Sequence, residues 1–110
     1  MGYINPDWIT GDKHAKQLYD AGVYTTVEVN IDSKIYRDCY DLGIDIPVDG
    51  SGYIDSVYLQ SVMSLLALWY LFAKGGRGIR DNDVDVYADK AMSNQQQYRD
   101  ALSQLTYSKV

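Results

Sequence analysis

The longest apolar stretch of the chain lies at residues 57–73, with the sequence VYLQSVMSLLALWYLFA. It contains no charged residue, and in its second half only Ser64 interrupts the apolar side chains. A helix that is apolar around most of its circumference must be buried on most sides. The stretch falls short of the roughly 20 mostly apolar residues that cross a bilayer. We therefore predict a central helix from about Asp55 or Ser56 to Lys74, buried in a small domain or covered partly by another subunit.

Two shorter helices are predicted before this central helix. The first begins at Pro6 with Asn5 as its cap, or after Thr10 or Asp12 as an alternative cap, and it ends at Gly22. Its inward face carries three positions, Ala15, Leu18 and Tyr19. The second begins at Asp32 or Ser33 and ends at Gly43. Its apolar face carries Ile35, Cys39 and Leu42.

The segment between these two helices, residues 23–31, is rich in β-branched residues and includes the sequence VYTTVEV. Such residues favour strands. With no second clear strand to pair with, an extended arm, an edge strand completed by a neighbouring subunit and a hairpin strand all remain open.

A long helix is predicted to close the chain, beginning near Asn82 or Asp83. Its apolar positions recur every three or four residues, which is the spacing of one helix face: Val84, Tyr87, Ala91, Asn94, Tyr98, Ala101 and Leu105. Residues 75–83, with the sequence GGRGIRDND, are predicted to form a flexible loop before it. The fold class is mainly α: a small helical bundle around a central apolar helix, with a short β-prone arm, in a single domain spanning residues 1–110.

Composition restricts the possible functions. The net charge of −5 and the sequence pI of about 4.5 argue against a protein that binds nucleic acid through clustered basic residues. The single cysteine, Cys39, cannot form an internal disulfide, and residues 1–13 lack the basic and apolar regions of a signal peptide. These features favour the cytoplasm as the place of synthesis.

Charge is unevenly distributed. Residues 23–55 contain seven acids and two bases, whereas residues 56–80 contain three bases, Lys74, Arg77 and Arg80, and no acid. Cations at a helix C-terminus interact favourably with its dipole, which is one explanation for the basic cluster. The other is that the three basic residues form a partner-docking loop.

Tyrosine is unusually frequent, with eleven residues against one phenylalanine. Tyrosine combines a large apolar area with a polar end, so it suits the edge of a thin core and also protein interfaces. Both explanations stay open. For the second, the candidate subunit-interface residues are Tyr24, Val27, Val29, Tyr87 and Tyr98.

No motif in the sequence indicates catalysis, a cofactor or a metal. Residues 81–92 place aspartates as in a calcium loop, but Val86 occupies the position of the required glycine and Met92 that of the bidentate glutamate. The single histidine, His14, lacks metal-ligand spacing and is expected to be exposed, and Cys39 is expected to be a buried packing residue. The sequence therefore predicts a protein that is not an enzyme.

The order of elements resembles the head–tail connector, or adaptor, proteins of tailed bacteriophages. The resemblance covers about residues 32–106. It consists of a Tyr/Leu-Gly segment with a Pro-containing loop (CYDLGIDIPVDGSGYID), an apolar helix with Ala-Leu-Trp-Tyr-Leu, a Gly/Arg-rich loop and the closing helix. The region around Trp8 and the β-prone arm depart from this pattern, which leaves a related neck or tail-completion role open.

The resemblance implies a helical subunit of the virion neck that forms a ring, commonly of twelve copies, between the portal protein and a tail or stopper protein. DNA would pass through the ring without specific binding, and no membrane would be involved. Acidic residues 23–55 would then face the DNA path, where like charge prevents sticking. Two alternatives from other classes are an acidic monomeric or dimeric inhibitor that mimics nucleic-acid charge, and a helical regulator whose basic loop touches DNA.

Overall fold

The computed structural model describes the backbone of residues 2–78 and 84–109 and the side chains of residues 2–75 and 86–105. Four α-helices follow a short 3-10 helix at Pro6–Trp8: α1 (Lys13–Asp20), α2 (Val23–Asp41), α3 (Val57–Gly78) and α4 (Val84–Lys109). With 73% of the residues in helices, the prediction of a mainly α bundle is confirmed. In the described part of the chain, β-pairing is limited to one isolated bridge between Val48 and Ile54.

The apolar helix α3 lies at the centre of the bundle and contacts each of the other three helices. Its buried face consists of Leu59, Val62, Met63, Leu66, Ala67, Leu71 and Phe72. Its start is confirmed near the predicted position, because the Ser56 hydroxyl accepts a hydrogen bond from the Leu59 amide at 3.4 Å. The predicted end at Lys74 is wrong, because α3 continues to Gly78. Residues 75–78 of the predicted loop are therefore helical. Residues 79–83 lie outside the described residues.

The prediction of an extended arm at residues 23–31 is wrong, because these residues form the first half of α2. The predicted helix start at Asp32 or Ser33 is wrong for the same reason. Side chains spaced three or four residues apart face the core, namely Tyr24, Val27, Ile31, Ile35, Asp38 and Cys39. This burial outweighs the strand preference of β-branched residues, which depends strongly on context. The hydroxyls of Thr25 and Thr26 bond to backbone carbonyls one turn earlier, at 2.8 and 2.7 Å.

The segment before α1 ties the loop between α2 and α3 to the face of α2. The Tyr3 amide donates to Asp32 Oδ1 at 3.1 Å, and the Tyr3 carbonyl accepts from the Ile54 amide at 3.0 Å. Within the loop, Asp49 Oδ1 accepts from the amides of Ser51 and Tyr53 at 2.8 and 3.1 Å. The Tyr3 backbone therefore holds residues far apart in sequence together, through one hydrogen bond to a side chain and one to a backbone amide.

The predicted seam of α4 is confirmed where its side chains are described. Tyr87, Ala91 and Tyr98 are buried, and Ala101 and Leu105 are half-buried against the core. Asn94, in the weak middle of the seam, donates its side-chain amide to the Lys90 carbonyl at 2.7 Å.

By length and composition alone, the part of α3 at Val57–Gly75 is apolar enough to cross a membrane, with a mean hydropathy of 1.3. This part of the helix is longer than the apolar run of residues 57–73, because α3 extends beyond that run. The core helix of a soluble protein has the same length and hydropathy, so neither property separates the two cases.

A close approach of α1 to α3 occurs at Gly75. A Cβ atom at this position would lie 2.6 Å from both methyl carbons of the buried Leu18. We expect Gly75→Ala to destabilise the protein by about 1–3 kcal/mol, although the same change in an uncrowded helix stabilises by about 1 kcal/mol. Urea unfolding measures the difference. In a Leu18→Ala background, Gly75→Ala should cause little destabilisation. An unchanged destabilisation there would show that the contact with Leu18 is not its cause.

Asp12 links α1 to α4. Its Oδ1 accepts hydrogen bonds from the amides of His14 and Ala15 at 2.8 and 3.1 Å, and its Oδ2 accepts from Lys90 Nζ at 2.9 Å. Partial burial alone would raise the pKa of Asp12, but the Lys90 ammonium and the two amides outweigh it, so the pKa lies below the ordinary value of 3.8. This stabilisation is present above the unfolded-state pKa and is lost as the pH falls through the folded-state pKa.

We expect Asp12→Ala to lower the free energy of unfolding by about 0.5–2 kcal/mol, because it removes both the cap and the charge. Asp12→Asn retains an oxygen for the cap and should cost less. Urea unfolding between neutral pH and pH 3 checks the linkage. The difference in free energy of unfolding between wild type and Asp12→Asn should decrease as the solution becomes acidic. A constant difference would show that the carboxylate charge contributes nothing to stability.

Candidate docking surfaces

A groove rich in tyrosine lies on the outer side of α2. We call it the tyrosine groove; it has a volume of about 500 Å³ and is lined by Tyr3, Asp32, Ser33, Tyr36, Arg37 and Tyr40. A smaller groove of about 210 Å³ shares its three tyrosines and adds Ile44, Asp45 and Ile46. The rings of Tyr36 and Tyr40 stack at 6.2 Å between centroids, with 59% and 72% of these residues exposed. Large aromatic area is thus presented to solvent.

The register of α2 produces this exposure. Val29, Ser33, Tyr36 and Tyr40 are spaced four, three and four residues apart, which places them on one helix face. The core residues Ile35 and Cys39 lie on another face. Val29 is 74% exposed, so the apolar stripe extends beyond the tyrosine groove toward the start of α2.

The tyrosine groove also contains charged groups. Burial raises the pKa of Asp32, Glu28 adds to the increase, and the hydrogen bond from the Tyr3 amide opposes it. Burial, followed by the charge of Asp32, raises the pKa of the Tyr3 phenol, which keeps its proton. Arg37 lines the tyrosine groove and is exposed, and Asp45 lines the smaller groove and is also exposed.

A second surface surrounds Trp69 on α3. We call it the Trp69 surface. One of its grooves, of about 310 Å³, lies between α2 and α3 and is lined by Val27, Asn30, Trp69, Tyr70, Ala73 and Lys74. The other, of about 340 Å³, lies between α3 and α4 and is lined by Trp69, Phe72, Ala73, Ala88, Ala91, Met92 and Gln95. Trp69 and Ala73 line both grooves, so this is one continuous surface.

A buried polar network lies below the Trp69 surface. Asp38 Oδ2 accepts a hydrogen bond from the Tyr98 hydroxyl at 2.6 Å, and Lys34 Nζ lies 3.0 Å from the same oxygen. Burial and then the hydrogen bond to Asp38 raise the pKa of Tyr98, so the phenol remains a donor. The Tyr98 ring lies 6.2 Å from the Trp69 ring. The network therefore joins α2 to α4 and positions a ring that supports Trp69.

The subunit-interface prediction is wrong for four of its five residues. Tyr24, Val27, Tyr87 and Tyr98 are each at least 95% buried within this chain, so they are not available to a neighbouring subunit. Val29 is exposed, as that prediction requires. Of the predicted partner-docking loop, Lys74 is exposed on the Trp69 surface, Arg77 is described only as part of the α3 backbone, and Arg80 lies outside the described residues.

Both explanations of the tyrosine content apply, at different positions. Tyr24, Tyr87 and Tyr98 pack in the core, while Tyr36 and Tyr40 face solvent together with Tyr58. Tyr36 and Tyr40 are not among the predicted interface residues, although their four-residue spacing also places them on one face of the predicted helix. The spacing from Val29 to Tyr40 becomes visible as a helical stripe once α2 is assigned from Val23.

The described residues show no cluster of three or more His, Cys, Asp or Glu side chains that would hold a metal. Cys39 is buried as predicted, and burial raises the pKa of its thiol, which disfavours the reactive thiolate. His14 is half-buried rather than exposed, with its ring 5.8 Å from that of Tyr87. These two residues therefore serve packing in this fold.

Comparison with known proteins gives no family assignment. The chain matches no protein-family model, no curated protein and no solved structure. Interpretation of the two surfaces therefore depends on their own chemistry.

The hydroxyls of two buried tyrosines provide a matched test of the network. We expect Tyr98→Phe to lower the free energy of unfolding by about 1–3 kcal/mol, because it removes a donor from the buried Asp38 carboxylate. Tyr24→Phe should be neutral or stabilising, since the Tyr24 hydroxyl is buried without a hydrogen-bond partner in the described part of the chain. Urea unfolding of both variants gives the comparison. Equal losses of unfolding free energy in the two variants would show that the Tyr98–Asp38 hydrogen bond does not stabilise the fold.

Proposed function

We propose that this protein is a structural assembly protein of a phage neck, a ring-forming head–tail adaptor that links the portal to the tail. The observation that carries the proposal is the presence of two separate exposed surfaces of aromatic and apolar residues on one small helical subunit. A subunit within a ring contacts two neighbours, and a head-to-tail ring uses two different surfaces for them. The resemblance of residues 32–106 to phage connector proteins supports the same role.

The composition of the surfaces agrees with protein contact. Protein interfaces are enriched in Tyr, Trp and Met. Here Tyr36, Tyr40 and Met92 are exposed, and Trp69 is half-buried. The helical core behind them gives each surface a rigid support. Conformational entropy lost on association is small when the contacting side chains are held on packed helices.

Acidic charge on the subunit suits a channel for DNA. Asp41, Asp45, Asp49 and Asp55 are all exposed, and they lie at the end of α2 and in the loop that follows it. If this side lines the passage, like charge repels the phosphate backbone and DNA slides without being held. The bases are then never read, which matches a passage that must accept every sequence of a genome.

The same four aspartates favour a second candidate, an acidic inhibitor that occupies a nucleic-acid-binding site by imitating phosphate charge. Such a protein acts as a monomer or dimer and needs no ring contacts. Its binding to a basic target would weaken steeply with salt. The two candidates therefore differ in the mass of the functional species.

Light scattering coupled to size-exclusion chromatography distinguishes the two candidates. For an adaptor we expect the chain to form a ring alone, or to add to a purified portal ring in a fixed number of copies per portal subunit. Trp69→Asp is the informative variant, because a charge on a half-buried surface residue should prevent assembly while the helical circular dichroism signal persists. A monomer or dimer that never binds the portal would overturn the adaptor proposal.

A further inference from the structure

We infer that the tyrosine groove of one copy receives the Trp69 surface of the next copy, so that assembly proceeds head to tail. This inference rests on the proposed ring-forming function and names the two surfaces that would make the contact. The occupant of each surface is therefore a second copy of this chain.

The two surfaces lie on different sides of α2. Asn30 lines the Trp69 surface and Tyr36 lines the tyrosine groove, and both are exposed on the same helix, six positions apart. At about 100° per residue, six positions place them about 120° apart around the helix axis. The two surfaces therefore face different directions, and one copy can use both at once, each for a different neighbour.

The two surfaces also differ in charge. Asp32 and Asp45 line the tyrosine groove and its extension, and Asp41 is exposed beside Tyr40, whereas Arg37 is the one basic residue lining these two grooves. The Trp69 surface is lined by one charged residue, Lys74, and the sequence has no acid between residues 56 and 80. Among the lining residues, two acids outnumber one base on the tyrosine side, whereas Lys74 is the one charge on the Trp69 side. Contact between unlike surfaces is attractive, and contact between two like surfaces is repulsive.

Apolar character supplies the remaining complementarity. Tyr36 and Tyr40 present stacked rings that can lie against Trp69, Ala73 and Met92 of the neighbour. Aromatic rings with a lysine at the margin also permit cation–π contact, which adds to the charge attraction. Two unlike surfaces in contact are a heterologous interface, and repetition of such a contact gives a closed ring when the rotation between copies divides a full turn.

Charge reversal of each surface tests the pairing. The acid-reversed variant carries Asp41→Lys and Asp45→Lys, and the base-reversed variant carries Lys74→Glu. In either variant alone, both surfaces have the same sign, so we expect self-association to weaken by about tenfold or more. In an equimolar mixture, every surface of one variant meets an opposite charge on the other, and association should return with alternating copies. Native mass spectrometry measures the composition.

Asp100→Lys is the control for charge alone. Asp100 is exposed on α4, two residues from the buried Tyr98, and therefore points away from the core and from α2. This variant should assemble as the wild type does. Circular dichroism and urea unfolding of all variants verify that each one folds.

Each outcome decides between the inference and the proposed function. If the wild type forms a ring and the reversed variants form it equally well, the pairing of surfaces is wrong and the adaptor proposal stands. If each variant fails and the mixture fails too, the pairing is also wrong, since opposite charges should restore it. If the wild type remains monomeric alone and with a portal ring, both the pairing and the adaptor role are excluded.

Discussion

The fold depends on burial of one helix, α3, whose side chains are apolar on nearly every side. Leu66 and Leu71 have no exposed area, and the other three helices all contact α3. Hydrophobic burial of this kind is the main favourable contribution to folding. A chain of 110 residues supplies too few neighbours to cover the whole circumference, however. Trp69 and Ala73 are left half-buried, and they form the centre of one of the two exposed surfaces.

Polar contacts fix the arrangement of the helices around α3. Apolar packing is non-directional and tolerates several registers, whereas a buried charge is strongly unfavourable unless its partners lie at hydrogen-bond distance. Asp38 meets this requirement through Lys34 on its own helix and Tyr98 on α4. Asp12 does the same for α1 and α4 through Lys90. A slip of α4 by one residue would break both links, so these contacts select the register that places Trp69 beside Tyr98.

Much of this architecture follows from the spacing of apolar residues. The central helix, the α1 cap at Asp12 and the seam of α4 are all visible in the sequence, because each one combines a helical period with a terminating or capping residue. The first half of α2 is not recognisable as a helix from the sequence. Its β-branched residues favour a strand in isolation, and burial against the rest of the bundle makes the helix more stable. Local propensity therefore misleads where burial decides the conformation.

Helix phase is a better guide than residue type to which side chains form the two surfaces. Tyr24 and Tyr36 lie on the same helix, and one is buried while the other is 59% exposed. Both residues are tyrosine, so composition shows that tyrosine is frequent but not which tyrosines are exposed for contact. The exposed positions become predictable once the helix bounds are known, since each step of about 100° fixes the direction of a side chain relative to the core.

Exposed apolar surface is a hazard for a protein that does not use it, because patches of this kind promote unspecific association. In this chain the two surfaces differ in charge, and the whole molecule carries −5. Net repulsion opposes random contacts, and like charges oppose contact between two tyrosine grooves or two Trp69 surfaces. In the arrangement that we propose, contact between a tyrosine groove and a Trp69 surface brings acidic and basic groups together. The same charges that oppose the other contacts would therefore favour the one contact that the proposed ring repeats.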